Sequence, residues 1–289
     1  MKRYLVPYEG SPLSGAALRH AVKFAQAISG KIEIVYIADE RLLANPFLDL
    51  TVLALQGIGT LGDILPREQA KLELENKIIS RGEDILKELK SWPELNPDEG
   101  AKPDWSTRIE AGNPIKLLSE ISENYDVIFM GLWGEMHKFK QGLWGGTSEA
   151  VIRKGVCPVF LTTGEYKPLK TIIVGFDNRP RSRQALAWAG MIGEHLDLPV
   201  ISLICGHDED WRTRTVKDSE EIVKAYHTEY TANQTSEHPA QAILKESETN
   251  PDSLLCLGAF GDQPLREFFL GSVADEVLSR SKSPVMLFK

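Results

Sequence analysis

The spacing Gly258-x2-Gly261-x9-Gly271-Ser272 places backbone donors and one hydroxyl where an anion could be held. Gly258 and Gly261 follow the apolar run Leu254-Leu-Cys-Leu257, and the apolar spacing after Gly271 predicts a helix over 272–281. Glycine lets a backbone approach a ligand closely and adopt positive φ. The first amides of a helix, here those around Ser272, Val273 and Ala274, point N–H groups at whatever lies beyond them. That arrangement suits a phosphate. Ser272 serves either as a further donor to the anion or as the helix N-cap. Arg266, inside the loop, either neutralises phosphate charge or is simply solvated.

Such a loop works only at the end of a strand, so the surrounding elements matter. The chain is written twice. Tyr4-Leu-Val-Pro7-Tyr8-Glu9 is followed by Pro12, Ser14, Ala17, Leu18 and Ala21, and Ile172-Ile-Val-Gly175-Phe176-Asp177 by Pro180, Ser182, Ala185, Leu186 and Ala189, at one offset of 168 residues. Val151, Pro158, Val159 and Leu161 match Val277, Pro284, Val285 and Leu287 at an offset of 126. The first copy is therefore longer by about forty residues, and the excess maps near 42–90. The copies span 1–164 and 169–289, each close to the roughly 100–200 residues of an ordinary domain.

In the second copy, apolar runs predict strands at 171–176, 199–205, 228–234, 253–258 and 284–288, with helices near 180–195, 215–226, 238–249 and 272–281. Strands alternating with helices imply parallel βαβ units, so each copy is expected to be a doubly wound parallel five-stranded α/β sheet with helices on both faces. Ligands of such sheets sit beyond the carboxyl ends of the strands, where the strand order reverses.

The glycine spacing, its continuation Val273-Ala-Asp-Glu-Val-Leu, the closing Ser283-Pro-Val-Met-Leu and the opening Ile172 to Asp177 together resemble the ATP-binding branch of the universal stress protein family. The resemblance covers essentially the whole chain, twice. It implies the adenine nucleotide alpha hydrolase-like fold and an adenine nucleotide, ATP or AMP with or without Mg²⁺, in the second copy. Asp177 would approach the ribose, Gly175 and Phe176 would line the same nucleotide site, and Cys205, 28 residues after the acid, would offer its backbone to the adenine. The Cys205 sulfur is otherwise a small buried hydrophobe.

The first copy departs from this pattern. Gly131-Leu-Trp-Gly134 is followed by ten residues before Gly145, Gly146 stands where serine is expected, and the strand-one acid is Glu9. Its weaker counterpart site would comprise Pro7, Tyr8, Glu9, Ile37, Gly131, Gly134, Gly145 and Gly146. Trp133 and Trp144 either stack on a base there or fill the pocket themselves.

A net charge of −8 makes nucleic acid a poor partner. Cys157, Cys205 and Cys256 lack CxxC spacing, and His137 and His207 have no ligand at metal spacing, so no metal site is expected. The N-terminal residues have too short an apolar run for a signal peptide, which points to the cytoplasm. Leu42–Leu65 is mostly apolar, but Pro46, Asp49, Gly57, Gly59, Gly62 and Asp63 argue against a membrane helix. A nucleophile motif is lacking, and so is the Gly-Lys-Ser/Thr ending of P-loop enzymes.

The expected function is a nucleotide-binding stress sensor or regulator acting through an unnamed protein partner, rather than an enzyme. Weak ATP hydrolysis or adenylyl transfer, with Asp177 or Asp262 as base, and a scaffold that binds no nucleotide are the alternatives. The two copies are expected to pack as an intrachain pseudo-dimer, with a homodimer of tandem chains left open.

Overall fold

A computed structural model of the chain describes residues 1–41, 67–98, 101–133, 146–206, 208–259 and 271–289, with backbone alone at 67–71. The first half runs β1 (Arg3–Pro7), α1 (Pro12–Ile28), β2 (Lys31–Asp39), α2 (Arg67–Glu88), β3 (Asp104–Gly112), α3 (Pro114–Ile121), β4 (Val127–Gly131), α4 (Gly146–Lys154) and β5 (Val159–Thr162). The second runs β6 (Thr171–Gly175), α5 (Pro180–Leu196), β7 (Val200–Cys205), α6 (Glu209–Val223), β8 (Tyr230–Thr235), α7 (Pro239–Thr249), β9 (Ser253–Gly258), α8 (Ser272–Arg280) and β10 (Val285–Phe288).

Each half is a parallel sheet, in the orders β3-β2-β1-β4-β5 and β8-β7-β6-β9-β10. The central strands are continuous apolar runs because both of their faces are covered. Alternate side chains serve opposite faces: Tyr4 and Val6 of β1 enter one core, Leu5 the other, and Cys256 and Leu255 of β9 divide the same way. The excess length of the first half lies between β2 and β3. There α2 lays Ile78, Leu86 and the partly buried Leu74 and Ile85 onto the first core, and Leu89 follows just beyond the helix. Leu42–Leu65 lies outside the described residues. Among those described, no helix is long and apolar enough to cross a membrane.

The two sheets are not separate. β5 and β10 pair antiparallel, joining the halves into one ten-stranded sheet. Phe160 pairs with Met286, its own counterpart at the offset of 126, so a pseudo-two-fold axis passes between them. Both cores consequently run through both halves. Above the junction Phe24 of α1 stacks on Trp188 of α5 at 5.5 Å and meets Phe160 edge-on at 5.7 Å. Below it, the Lys289 ammonium donates to the Val151 and Gly155 carbonyls at 2.8 and 2.7 Å, capping the end of α4 from the opposite half. Burial lowers the Lys289 pKa to about 8.

One helix departs from the pattern expected of the sequence. The helix placed near 215–226 begins six residues earlier, at Glu209, and ends at Val223. Asp208 accepts a hydrogen bond from the Trp211 amide at 2.7 Å, and Glu209 and Asp210 occupy the first turn, where acids complement the helix dipole. The start is marked by polar capping, which apolar periodicity does not register.

Phe24 is fully buried at the junction. Phe24→Ala is expected to lower the free energy of unfolding by about 3–5 kcal/mol in a denaturant titration. His20 lies 5.0 Å from the Phe160 ring and 4.8 Å from that of Tyr166, and burial lowers its pKa to about 3. The unfolded chain, with an ordinary histidine pKa, binds the extra proton between these values. Stability present at neutral pH is therefore lost as the pH falls from about 6.5 towards the folded value. Unfolding free energies at pH 7 and pH 4.5 should differ more in the native chain than in His20→Phe.

Candidate functional site

In both halves the strand order reverses between the first and fourth strands, which are β6 and β9 in the second. Beyond their carboxyl ends lies a cavity of about 320 Å³, the size of a small-molecule site. Gly175, Phe176 and Asp177 bound it from β6, Leu203 and Cys205 from β7, Gly258 and Ala259 from β9, and Val273 from α8. Ile243 and Pro239 of α7 close one apolar side, and Arg179, Arg181 and Ser182 form the rim at the start of α5.

Gly175 and Gly258 are required by close packing. A Cβ on Gly175 would come within 3.0 Å of Ile243 and Leu257, and one on Gly258 within 3.1 Å of the Arg181 Cβ. The register of the parallel strands also fixes what Cys205 presents. Phe176 donates its amide to the Leu203 carbonyl, and Gly206 donates to Thr235 on the other side. Alternate residues of a parallel strand address the same neighbour, so the Cys205 amide and carbonyl point as those of Leu203 do, past the end of β6 and towards the cavity. The Cys205 thiol is buried in the core, and burial and Glu237 raise its pKa to about 11, which keeps it protonated.

Asp177 is held in place. One carboxylate oxygen accepts from the Ser182 hydroxyl at 2.6 Å and from the Arg179 amide at 3.2 Å, and the other lies 3.7 Å from the Arg179 guanidinium. Asn178 adopts φ 62°, and its amide is pinned between Asp218 and Arg183, each at 2.6 Å. In the first half Gly10 takes the same position with φ 86°. The turn thus demands a left-handed residue in both halves, and asparagine tolerates that conformation as few other side chains do.

Of the residues singled out in the sequence, Gly175, Phe176, Asp177, Cys205, Gly258 and Val273 line this one cavity. Ala274 is buried behind it in the core. Gly271, at φ 105°, is the N-cap of α8, so Ser272 is the first helical residue and not the cap. Among the described residues no side chain caps this helix, so none of them occupies its first amides. Gly261, Arg266 and Asp262 lie outside the described residues. Arg181, Ala259 and the α7 residues are cavity-lining positions that the motif did not reveal. Comparing the two copies residue by residue reveals one of them, because Leu13 stands where the second copy has Arg181.

The register is the same in the first half, since Tyr4 pairs with Ile32 and Val127 as Ile172 pairs with Val200 and Leu254. There Pro7 replaces Gly175, Ile37 replaces Cys205 and Leu132 replaces Ala259, each a larger side chain. Leu132 is fully buried, and Ile37 and Trp133 pack against the same core. Tyr8 lies edge-on to Trp92 at 5.9 Å, and Glu9 accepts from Ser11, the N-cap of α1. A Cβ on Gly131 would come within 2.8 Å of the Leu13 Cβ, as one on Gly258 would crowd Arg181, whereas Gly146 has open space around it. Ser148 ties α4 to the Leu132 carbonyl at 2.6 Å. Gly134, Gly145 and Trp144 lie outside the described residues, as do His137 and His207.

Two doubly wound sheets, one with an open cleft at its switch point, define a tandem α/β protein whose ligand site is expected at that switch point. The sequence profile of the universal stress protein family matches residues 1–162 and again 168–289, and the chain belongs to that family. It is 22% identical over 295 residues to universal stress protein Slr1230 of Synechocystis, covering 100% of both chains. Universal stress protein MJ0531 of Methanocaldococcus jannaschii is 24% identical over 166 residues, 55% of this chain and 81% of that protein. The crystal structure of a universal stress protein from Archaeoglobus fulgidus superposes with a TM-score of 0.72 at 22% identity, covering 100% of this chain and 96% of that one.

The left-handed turn beside Asp177 yields a direct test. Asn178→Gly should leave stability within about 1 kcal/mol of the native chain, whereas Asn178→Val should cost about 1–3 kcal/mol in chemical denaturation.

Proposed function

We propose that the chain is a nucleotide-dependent stress-response regulator whose second half binds one adenine nucleotide, ATP or AMP, with or without Mg²⁺. The observation that carries this reading is a cavity that combines an apolar slot, a fixed acid and a helix start that no described side chain caps. Leu203, Ile243, Leu257 and Val273 give the slot the apolar walls that a purine ring fills. The Cys205 amide and carbonyl supply the hydrogen bonds that an adenine edge requires, one donor and one acceptor. Asp177, already oriented by Ser182 and the Arg179 amide, is an acceptor for a ribose hydroxyl. Its fixed position suits binding rather than proton abstraction. The Gly271 end of α8 then offers its first amides to a phosphate.

The first half keeps the fold of this site and fills its space. Pro7, Ile37 and Leu132 place side-chain volume where the second half has Gly175, Cys205 and Ala259. In this reading the first half is the structural partner of an intrachain pseudo-dimer. Nucleotide binding changes the surface around the cavity mouth, and a protein partner in the cytoplasm reads the change.

Calorimetric titration of nucleotide-stripped protein with ATP and with AMP, each with magnesium, tests the assignment. The expected stoichiometry is one nucleotide per chain, with binding lost in the double variant Gly271→Val, Ser272→Val. Two equivalent sites per chain, or unchanged affinity in the variant, would show that the site has been assigned wrongly.

A further inference from the structure

Arg181 lines the cavity, is half-buried, and has neither a hydrogen-bond nor an ion-pair partner among the described residues. Its nitrogens are not among the buried polar atoms of the described residues, so the charged fork reaches the solvent-filled cavity and is open to a ligand. Its neighbours have engaged their own charges: Arg179 lies against Asp177 and Arg183 donates to Asn178. Packing does not explain the choice of arginine either. The stem of Arg181 rests on the end of β9, with its Cβ 3.1 Å from where a Gly258 Cβ would stand. At the same place in the first half Leu13 rests on Gly131, so the fold is satisfied by an uncharged side chain of ordinary size.

We infer that Arg181 reads the phosphate of the ligand and makes the second half's cleft select phosphorylated adenosine over the bare nucleoside. This rests on the nucleotide reading of the same cavity and adds a specificity-determining side chain to it. Arginine suits the task because its planar fork offers paired donors to phosphate oxygens. An anionic ligand also supplies the partner that the guanidinium lacks among the described residues. The apolar slot and the α8 amides bind base and first phosphate in any case, so Arg181 governs how much the phosphate adds to the affinity.

The test is titration of the full chain and of Arg181→Leu and Arg181→Lys with ATP, AMP and adenosine at two salt concentrations. Leucine is the residue that the first half already accommodates at this position, so the variant is expected to fold, which a thermal melt checks. In Arg181→Leu the affinity for ATP should fall roughly tenfold or more, adenosine should bind as to the native chain, and the salt dependence for ATP should weaken. Arg181→Lys should recover part of the ATP affinity. An unchanged ATP affinity, or an equal loss for ATP and adenosine, overturns the role of Arg181 while leaving the cavity as the nucleotide site. A native chain that binds none of the three overturns both.

Discussion

The antiparallel pairing of β5 with β10 is the contact on which the remaining architecture depends. Residues 159–162 and 285–288 are buried throughout, and either strand alone would be an apolar edge with an unpaired row of backbone groups. Exposed edges of that kind invite association with other chains. Pairing the two within one chain removes both, makes each core continuous with its counterpart, and brings α1 against α5. Trp188 reaches Phe24 only because the sheets are joined in this register, and Lys289 reaches the end of α4 for the same reason. The edges left at the two ends are of a different kind. β8 is made of Tyr-Thr-Ala-Asn-Gln-Thr, a polar strand that tolerates water.

Because the strands of the two halves share one register, the differences between them at the switch point are differences of side chain at fixed positions. Gly175, Cys205 and Ala259 are small where Pro7, Ile37 and Leu132 are large, and a charge at Arg181 stands where Leu13 is apolar. The turn after the first strand is common to both, since Gly10 and Asn178 adopt the same left-handed conformation. In the second half the extra polar reach of asparagine is used to bind Asp218 and Arg183, which stiffens the approach to Asp177. A duplicated fold can in this way keep one copy for its packing surface and the other for its cleft.

The doubly wound character of each half was legible in the sequence, because continuous apolar runs such as 127–130 and 254–257, spaced by helical segments, admit few other arrangements. The repeat was legible too, and with it the equivalence of Glu9 with Asp177 and of Ser14 with Ser182. The start of α6 was not, since Asp208 and its two acidic followers carry no apolar period. Ser272 was open between ligand donor and helix cap until Gly271 was seen to hold the cap position itself.

The sequence by itself determined the number of copies, the alternation of strand and helix, and the glycine positions at the strand exit, because each follows from local periodicity or steric need. Only the tertiary structure decided that Cys205 turns its backbone towards the cavity, that Ile243 of α7 walls it, and that Arg181 stands on its rim with no partner among the described residues. These residues lie far apart along the chain, and what brings them together is the register between parallel strands. That register is set by the packing of two cores at once, a cooperative property that no local segment carries.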